Sequence, residues 1–332
     1  MKNSEIYMGL LKLRLSMVAT LAIIFGLSTL VFGVILTLAG TFDIVTMAVL
    51  VVFFNVAQWL FAPYLVGALY RVREMKQDEN PNLHVMISNL SKKSGISTPK
   101  LMLAQIPLPN AFAYGSPISG SRIAVTQGLL SNLNDGEVEA VLGHELGHLK
   151  HRDVQVMMAV SFLPALFYFI GYSLMLSGMF GGQRKNQGAS PLIGIGFIVF
   201  SQILTLFTLQ ISRLREYYAD RHSVSVVDNG AEKLSAGLAK IVHATGRMGK
   251  PKQQEKQNLT AFKALFIADP ERAIEDSAAV YAFEAGNSQK LVDDILSKKL
   301  TFGDKLIEVL STHPNIIKRL QALKELSSNP KV

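Results

Sequence analysis

The chain of 332 residues is 49% hydrophobic and only 17% charged, with a mean hydropathy of +0.28. Such a composition excludes an ordinary soluble enzyme of this length, and the absence of cysteine excludes disulfide staples and every cysteine-bearing metal site. The net charge of +8 requires no nucleic-acid partner, because basic flanks facing anionic lipid account for it.

The apolar excess is gathered in four blocks. Residues 16–39 and 44–70 are each long enough to span a bilayer, which takes about 20 apolar residues. Lys2, Lys12 and Arg14 precede the first block, the connector from Gly40 to Asp43 has no basic residue, and Arg71, Arg73 and Lys76 follow the second. The positive-inside rule places both flanks in the cytoplasm. The third and fourth blocks, Val154 to Phe180 and Pro191 to Ile211, are interrupted by Pro164, Gln202 and several glycines, which membrane helices tolerate. Arg184 and Lys185 lie between them but are outweighed by Lys150 and Arg152 before and Arg213 and Arg215 after, so the predicted topology is N-in and C-in. The rival reading of this second pair is two buried helices of a soluble domain.

Between the second and third blocks the sequence predicts a helix from Pro81 to about Lys93, with His84 and Asn89 on its surface. Lys100 to Ala104 and Ser121 to Val125 are short β-compatible runs set off by Pro99, Pro107, Pro109, Gly115, Pro117 and Gly120, and Asn110 to Ala113 adds an intervening edge. These runs predict a small sheet, read either as a plain meander or as an edge that holds an extended peptide through main-chain hydrogen bonds.

The next helix carries the most informative stretch, His144-Glu145-Leu146-Gly147-His148. Asn134 as N-cap, Glu137 at the third helical position and Leu133 stapled to Val138 predict its start. Histidines four apart share a helical face and can reach one metal ion, and Glu145 beside them can take a proton from the attacking water. The bland alternative is a capped amphipathic helix whose histidines only hydrogen-bond in the core. His151 lies on nearly the same face but would stack along the axis without closing a tetrahedron, so it reads as a juxtamembrane polar residue. The third ligand is sought in Ser212-Arg213-Leu214-Arg215-Glu216-Tyr217-Tyr218-Ala219-Asp220, where one of Glu216 and Asp220 can bind metal while the other orients a ligating histidine. A solvated charged turn paired by Arg213 and Arg215 is the competing reading. The acidic and basic residues flanking the histidine motif argue against a site inside an apolar span.

Further on, Ala231 to Thr245 and Thr260 to Phe266 read as helices separated by a basic, Gln-rich loop from Gly249 to Gln257. Leu291 to Lys299, Phe302 to Ser311 and a last helix opened by Pro314 continue the pattern, while His222 and His243 have no partner at diagnostic spacing. His313, just before that last helix, and Arg319, nearly two turns along, can point from its start toward a metal cleft. The alternative is a packing helix with a solvated arginine.

The combination of His144 to His148, the Ser212 to Asp220 segment and the late Ser311-Thr312-His313-Pro314 resembles the HtpX-like heat-shock proteases, a family of membrane zinc metallopeptidases. The resemblance implies one zinc ion held by His144, His148 and Glu216, with Glu145 as general base and Asp153 and Asp220 supporting the site. It places Asn110, Ala111 and Phe112 along the substrate cleft and His313 and Arg319 near the substrate carbonyl as catalytic groups. It also implies polypeptide substrates, above all misfolded membrane proteins cleaved on the cytoplasmic side of the cell membrane in quality control and stress response. The fold expected is a mainly α integral membrane protein, with transmembrane helices and a zincin-type α+β cytoplasmic catalytic domain containing a small β-sheet. The expected layout is an N-terminal hairpin (1–73), a first catalytic segment (74–153), a second hairpin (154–211) and a second catalytic segment (212–332). No nucleic acid is expected, the lipid bilayer is a partner, and an oligomer is left open. A peptidase of prenylated CAAX proteins and a catalytically idle membrane scaffold are the competing functions.

Overall fold

The computed structural model describes residues 60–180 apart from 62, 65 and 69, together with residues 191–247 and 288–328. The first expected span, most of the second, the expected Thr260 to Phe266 helix and the Gln-rich loop lie outside the described residues. In chain order the elements are β1 (Val72–Glu74), α1 (Pro81–Ser94), β2 (Lys100–Ala104), β3 (Ala111–Ser116), β4 (Gly120–Thr126), α2 (Gln127–Asn132), α3 (Asp135–Lys150), α4 (Asp153–Phe180), α5 (Pro191–Val226), α6 (Gly230–Arg247), α7 (Ser288–Ser297), α8 (Phe302–Val309) and α9 (Ile316–Ser328). They fall into two compact units, and α5 contributes to both, with the division after Ser212.

In the first unit, Val160, Leu163, Phe167 and Ile170 of α4 pack with Phe197, Leu204 and Ile211 of α5. Gly171 and Gly194 let the two backbones touch, since a Cβ on either would fall 2.6 Å from the other's carbonyl oxygen. The hydroxyls of Ser201, Thr205 and Thr208 donate to the carbonyls of Ile198, Ser201 and Leu204, so these polar groups are satisfied inside their own helix. Among the described residues one helix, Leu192–Val226, is long and apolar enough to cross a membrane. The expected fourth span was bounded at Ile211. The helix instead runs on without a break, and its charged part from Arg213 belongs to the second unit.

The second unit is built on α3. Asn134 Oδ1 accepts the Glu137 N–H at 2.9 Å and Glu137 Oε2 accepts the Asn134 N–H at 3.0 Å, which closes the expected capping box. Glu137 and Glu139 then pair with Lys240 and Lys233 of α6 at 2.7 and 2.8 Å. Behind these charges Val138, Val141, Leu142 and Leu146 are buried in one core with Leu234, Leu238 and Ile241 of α6 and with the sheet residues Leu101, Leu103, Ile123 and Val125. That core also takes in Leu291 and Ile295 of α7 and Ile317, Leu320 and Leu323 of α9. Helix α1 adds Leu83, Ile87 and Leu90; Asn80 caps its start and Gly95, in the left-handed conformation at φ 70°, ends it.

The sheet order is β1-β2-β4-β3. A meander does not form: β4 lies between β2 and β3, parallel to β2 and antiparallel to β3. Thr126 fixes this crossing, because its hydroxyl donates to Leu108 O at 2.7 Å and accepts from the N–H groups of Asn110 and Leu129. β3 is therefore an edge strand. Its Ala111 and Ala113 share the α3 core, whereas Phe112 and Tyr114 turn to the opposite face and pack with Tyr70, Val66 and Met102. The three-residue β1, which the sequence reading did not foresee, pairs antiparallel with β2.

Helices α3 and α5 approach closely where Gly143 and Gly147 face Ser223 and Ala219. A Cβ at Gly147 would lie 2.9 Å from Ala219 Cα, and one at Gly143 3.1 Å from Ser223 Oγ. Ser223 Oγ also donates to Ala140 O at 2.6 Å, tying the two backbones together. Gly147→Ala is expected to force the helices apart and destabilise the protein by about 1–3 kcal/mol, more than the gain of about 1 kcal/mol in helix propensity. Gly196→Ala, where nothing lies within 4 Å of the new Cβ, should be neutral or stabilising. Thermal unfolding in detergent reads the difference, and equal midpoints for the two variants would contradict the packing argument.

Candidate metal centre

The close crossing of α3 and α5 sets two imidazoles against two carboxylates. His144 and His148, one turn apart on α3, bring their Nε2 atoms to 3.1 Å of each other. Glu216 of α5 lies beside both, with Oε2 3.6 Å from His144 Nε2 and Oε1 3.5 Å from His148 Nε2. These three residues form a group whose ligand atoms all lie within 4.8 Å of one another, at burial that leaves only His148 partly accessible.

Each imidazole is held from behind. His144 Nδ1 sits 2.8 Å from Asp220 Oδ1, and His148 Nδ1 sits 2.6 Å from Asp153 Oδ2. A carboxylate at Nδ1 keeps the ring proton there and leaves the Nε2 lone pair facing inward, which is the tautomer a metal ligand needs. Burial pushes the Asp153 carboxyl up, but the hydrogen bond with His148 and the charge of Arg215 outweigh it and hold the group below its usual range. Arg215 Nε lies 3.2 Å from Asp153 Oδ2, so the residue next to Glu216 in sequence steadies the support of His148.

The chemistry of this donor set fits a divalent metal. With a carboxylate behind each Nδ1, the two Nε2 atoms meet at 3.1 Å, and Glu216 Oε2 is buried without a hydrogen-bond partner. Ligand atoms around a tetrahedral zinc at about 2.0–2.1 Å stand about 3.3–3.4 Å apart; here the two Nε2 atoms stand 3.1 Å apart, and one atom from each of the three residues lies within 4.8 Å of the others. No cysteine is needed for such a site.

Glu145 points to the same place from the next position on α3. It is buried, and its Oε2 accepts the Ala113 N–H of the edge strand at 2.8 Å. Burial raises its pKa to about 7; the neighbouring Glu216 carboxylate also raises it, while His148 and the Ala113 N–H oppose the rise. The Ala113 N–H therefore leaves the β3–β4 ladder and faces outward, and by strand alternation Ala111 and Gly115 present their backbone groups on that same edge.

The late residues arrive from α9 and the turn before it. His313 Nδ1 lies 3.4 Å from Glu216 Oε2, and both of its ring nitrogens are buried without a hydrogen bond. Arg319, expected beside the substrate carbonyl, is committed elsewhere: Nε and Nη2 donate to Asp220 at 3.0 and 2.6 Å, and Nη1 lies 3.2 Å from Glu216 Oε2. It is among the most fully buried side chains of the described residues, so a solvated arginine is not what forms.

The structure thus brings together His144, Glu145, His148, Asp153, Glu216, Asp220, His313 and Arg319. Of the expected cleft residues, Asn110 and Ala111 lie at the start of the edge strand, while the Phe112 side chain packs on the face turned from α3. His151 caps the end of α3 outside the cluster, and His222 bonds Ser94 Oγ at 2.9 Å. The sequence reading missed the contact of Ala113 with Glu145, whose signal was strand alternation next to the chosen residues, and the contact of Arg215 with Asp153, since Arg215 was read as a topogenic charge or as part of a solvated charged turn.

A model of peptidase family M48 matches residues 77–327. A protease HtpX homolog of Thermoplasma acidophilum is 34% identical over 330 residues, covering 96% of this chain and 99% of the relative. Protease HtpX homolog 2 of Saccharolobus solfataricus is 35% identical over 332 residues, covering 95% and 98%. The crystal structure of S. mikatae Ste24p aligns with a TM-score of 0.49 at 21% identity, over 94% of this chain and 67% of that one. The match spans every element of the histidine, glutamate and arginine cluster, and the chain belongs to peptidase family M48.

Proposed function

We propose that this peptidase is a zinc-dependent endopeptidase of the cytoplasmic membrane surface, acting on misfolded or damaged membrane proteins. The observation that carries the reading is the convergence of His144 Nε2, His148 Nε2 and the Glu216 carboxylate beside a buried Glu145 that touches the edge of a strand. His144, His148 and Glu216 would hold the metal, which supplies Lewis-acid polarisation of a carbonyl and a more acidic water.

The protein's own groups do the rest. A substrate in extended form adds to the edge of β3, where Ala111 and Gly115 offer main-chain groups and Ala113 its carbonyl, without demanding a side-chain sequence. Glu145 takes a proton from water as the oxygen bonds to the peptide carbonyl carbon. It returns that proton to the amide nitrogen as the C–N bond breaks, leaving a carboxylic acid and a free amine. Its pKa of about 7 suits a group that must accept and then give a proton. His313 offers a ring N–H to the developing oxyanion. Asp220 and Asp153 act through the imidazoles they hold, and Arg319 acts as a positioning residue through Asp220 and Glu216.

The membrane part of the proposal rests on the apolar helix Leu192–Val226 and on the hydropathy blocks. It includes four spans with both termini in the cytoplasm. The quality-control role rests on the resemblance to the HtpX-like proteases.

Glu145→Gln should keep zinc and lose hydrolysis of a casein substrate by about 10²–10⁴-fold, whereas Glu216→Ala should lose zinc along with activity. Wild-type turnover in Glu145→Gln would remove it as the base, and full zinc retention in Glu216→Ala would remove it as a ligand.

The supporting shell gives a second expectation. Asp220→Ala leaves the buried Arg319 with Glu216 as its remaining carboxylate partner and should cost about 3–5 kcal/mol of stability, with zinc affinity about 10–100-fold weaker. Combined with Arg319→Met the two costs should not add, and strict additivity in a double-mutant cycle would mean the pair is not coupled. His313→Ala should leave zinc content unchanged while turnover falls by about a hundredfold. Unaltered turnover in a folded, zinc-loaded variant would take His313 out of the mechanism. A reporter fused after Val332 should read cytoplasmic, and an external reading would overturn the orientation.

A further inference from the structure

Helix α8 shows its apolar side to the outside and its acidic side to the protein. Phe302, Leu306 and Leu310 recur at the spacing that lines one helical face, and they are 83%, 56% and 66% exposed. Val309 and Ile307 beside them are exposed as well. On the other side Glu308 is only 7% exposed; its Oε1 accepts the Asn315 N–H at 3.2 Å and its Oε2 pairs with Lys318. In water the reverse arrangement is favoured, because burying a carboxylate costs free energy and full burial of a leucine or phenylalanine contributes about 1.5–3 kcal/mol. Outside the four expected spans, the other large hydrophobic side chains that stand exposed among the described residues are Val85 and Ile118. The cluster on α8 is therefore a patch and not scatter.

Arg213 fixes where this helix stands. Its Nη1 donates to the carbonyls of Glu308, Val309 and Ser311 at 2.9, 3.1 and 2.7 Å, gripping the end of α8. Arg213 is the first charged residue after the apolar stretch from Pro191 to Ile211. The end of α8 is thus held by the residue at which charge begins along α5. Lys299 precedes the patch and Lys305 lies within it, which suits an anionic headgroup layer.

We infer that α8 is an interfacial helix whose apolar face rests in the bilayer at the headgroup boundary, with lipid as its occupant. The inference rests on the membrane-spanning reading of α5 given above. Interfacial helices seat their apolar face about 5–10 Å into that boundary, and the polar face of α8 stays against the protein through Glu308. The turn after α8 carries His313, so lipid contact and the metal-centre residues share one support.

The chain has no cysteine, so Leu306→Cys, Leu310→Cys, Val199→Cys and Val85→Cys can each be labelled singly with an environment-sensitive fluorophore. The full-length variants are reconstituted into phosphatidylcholine–phosphatidylglycerol vesicles, and quenching is read with lipids spin-labelled near the headgroup, with lipids spin-labelled deep in the acyl chain for the label at 199, and with iodide on both sides. Labels at 306 and 310 should lose most of their fluorescence to the lipid quencher and little to iodide, and the label at 85 should do the opposite. Iodide quenching at 306 and 310 without lipid quenching overturns the inference. Protection from both quenchers means that protein covers the face, from another segment or a second copy, and also overturns it. A label at 199 that escapes the lipid quencher would instead refute the spanning reading of α5, whereas lipid quenching at 199 but not at 306 or 310 refutes the interfacial helix alone.

Discussion

The backbone contact between α3 and α5 is the constraint on which the centre depends. Ala219 and Ser223 on one helix meet Gly147 and Gly143 on the other, each pair one turn apart. Three of the functional side chains of the crossing are adjacent in sequence to one of these small residues: His144 follows Gly143, His148 follows Gly147, and Asp220 follows Ala219. Helices in ordinary contact stand 8–10 Å apart depending on the side chains between them. Only small residues at the contact bring a carboxylate on α5 to the 2.8 Å it keeps from His144 Nδ1.

That proximity creates an electrostatic debt. Glu145, Asp153, Glu216 and Asp220 are all buried, and the arginines beside them are Arg215 and Arg319. Four carboxylates facing two guanidinium groups leave an excess that a buried site cannot carry unscreened. The elevated pKa of Glu145 is one response, since the group can hold a proton near neutrality. A divalent cation on the inward-facing nitrogens and Glu216 would be the other, with the sign that the imbalance requires. Arg319 cannot be exchanged for lysine on this view, because three of its nitrogens address two carboxylates in a planar fork that an ammonium lacks.

What could be read from the sequence was whatever is local. The capping box at Asn134 and Glu137, the bounds of β2 and the spacing of His144 and His148 each depend on a few adjacent residues, and all appear as expected. The Arg319–Asp220 pair joins residues 99 positions apart, and no periodicity announces such a partner. Strand order was equally hidden. Thr126 anchors Leu108 and Asn110 through one hydroxyl and so inserts β4 between β2 and β3, but a threonine at a strand end looks the same in a meander. β1 exists only because β2 pairs with it. The setting of Phe112 has a related cause: the motif marks the strand, while alternation decides that the alanines on either side of it face α3.

The polar end of α5 organises two supports at once, and helical geometry explains why its register is fixed. Arg213 and Glu216 lie three residues apart on one face, the first holding the carbonyls before His313 and the second facing His313 itself. Arg215 points to a different side and reaches Asp153, behind His148. One residue added between Arg213 and Glu216 would rotate one group by about 100° relative to its present setting against the other and shift it about 1.5 Å along the axis. Glu216 could then face the imidazoles only if Arg213 released the turn that carries His313. The short Ser212 to Asp220 segment is thus one continuous run of helix, and its sequence spacing records the distance between the candidate metal centre and the turn that carries His313.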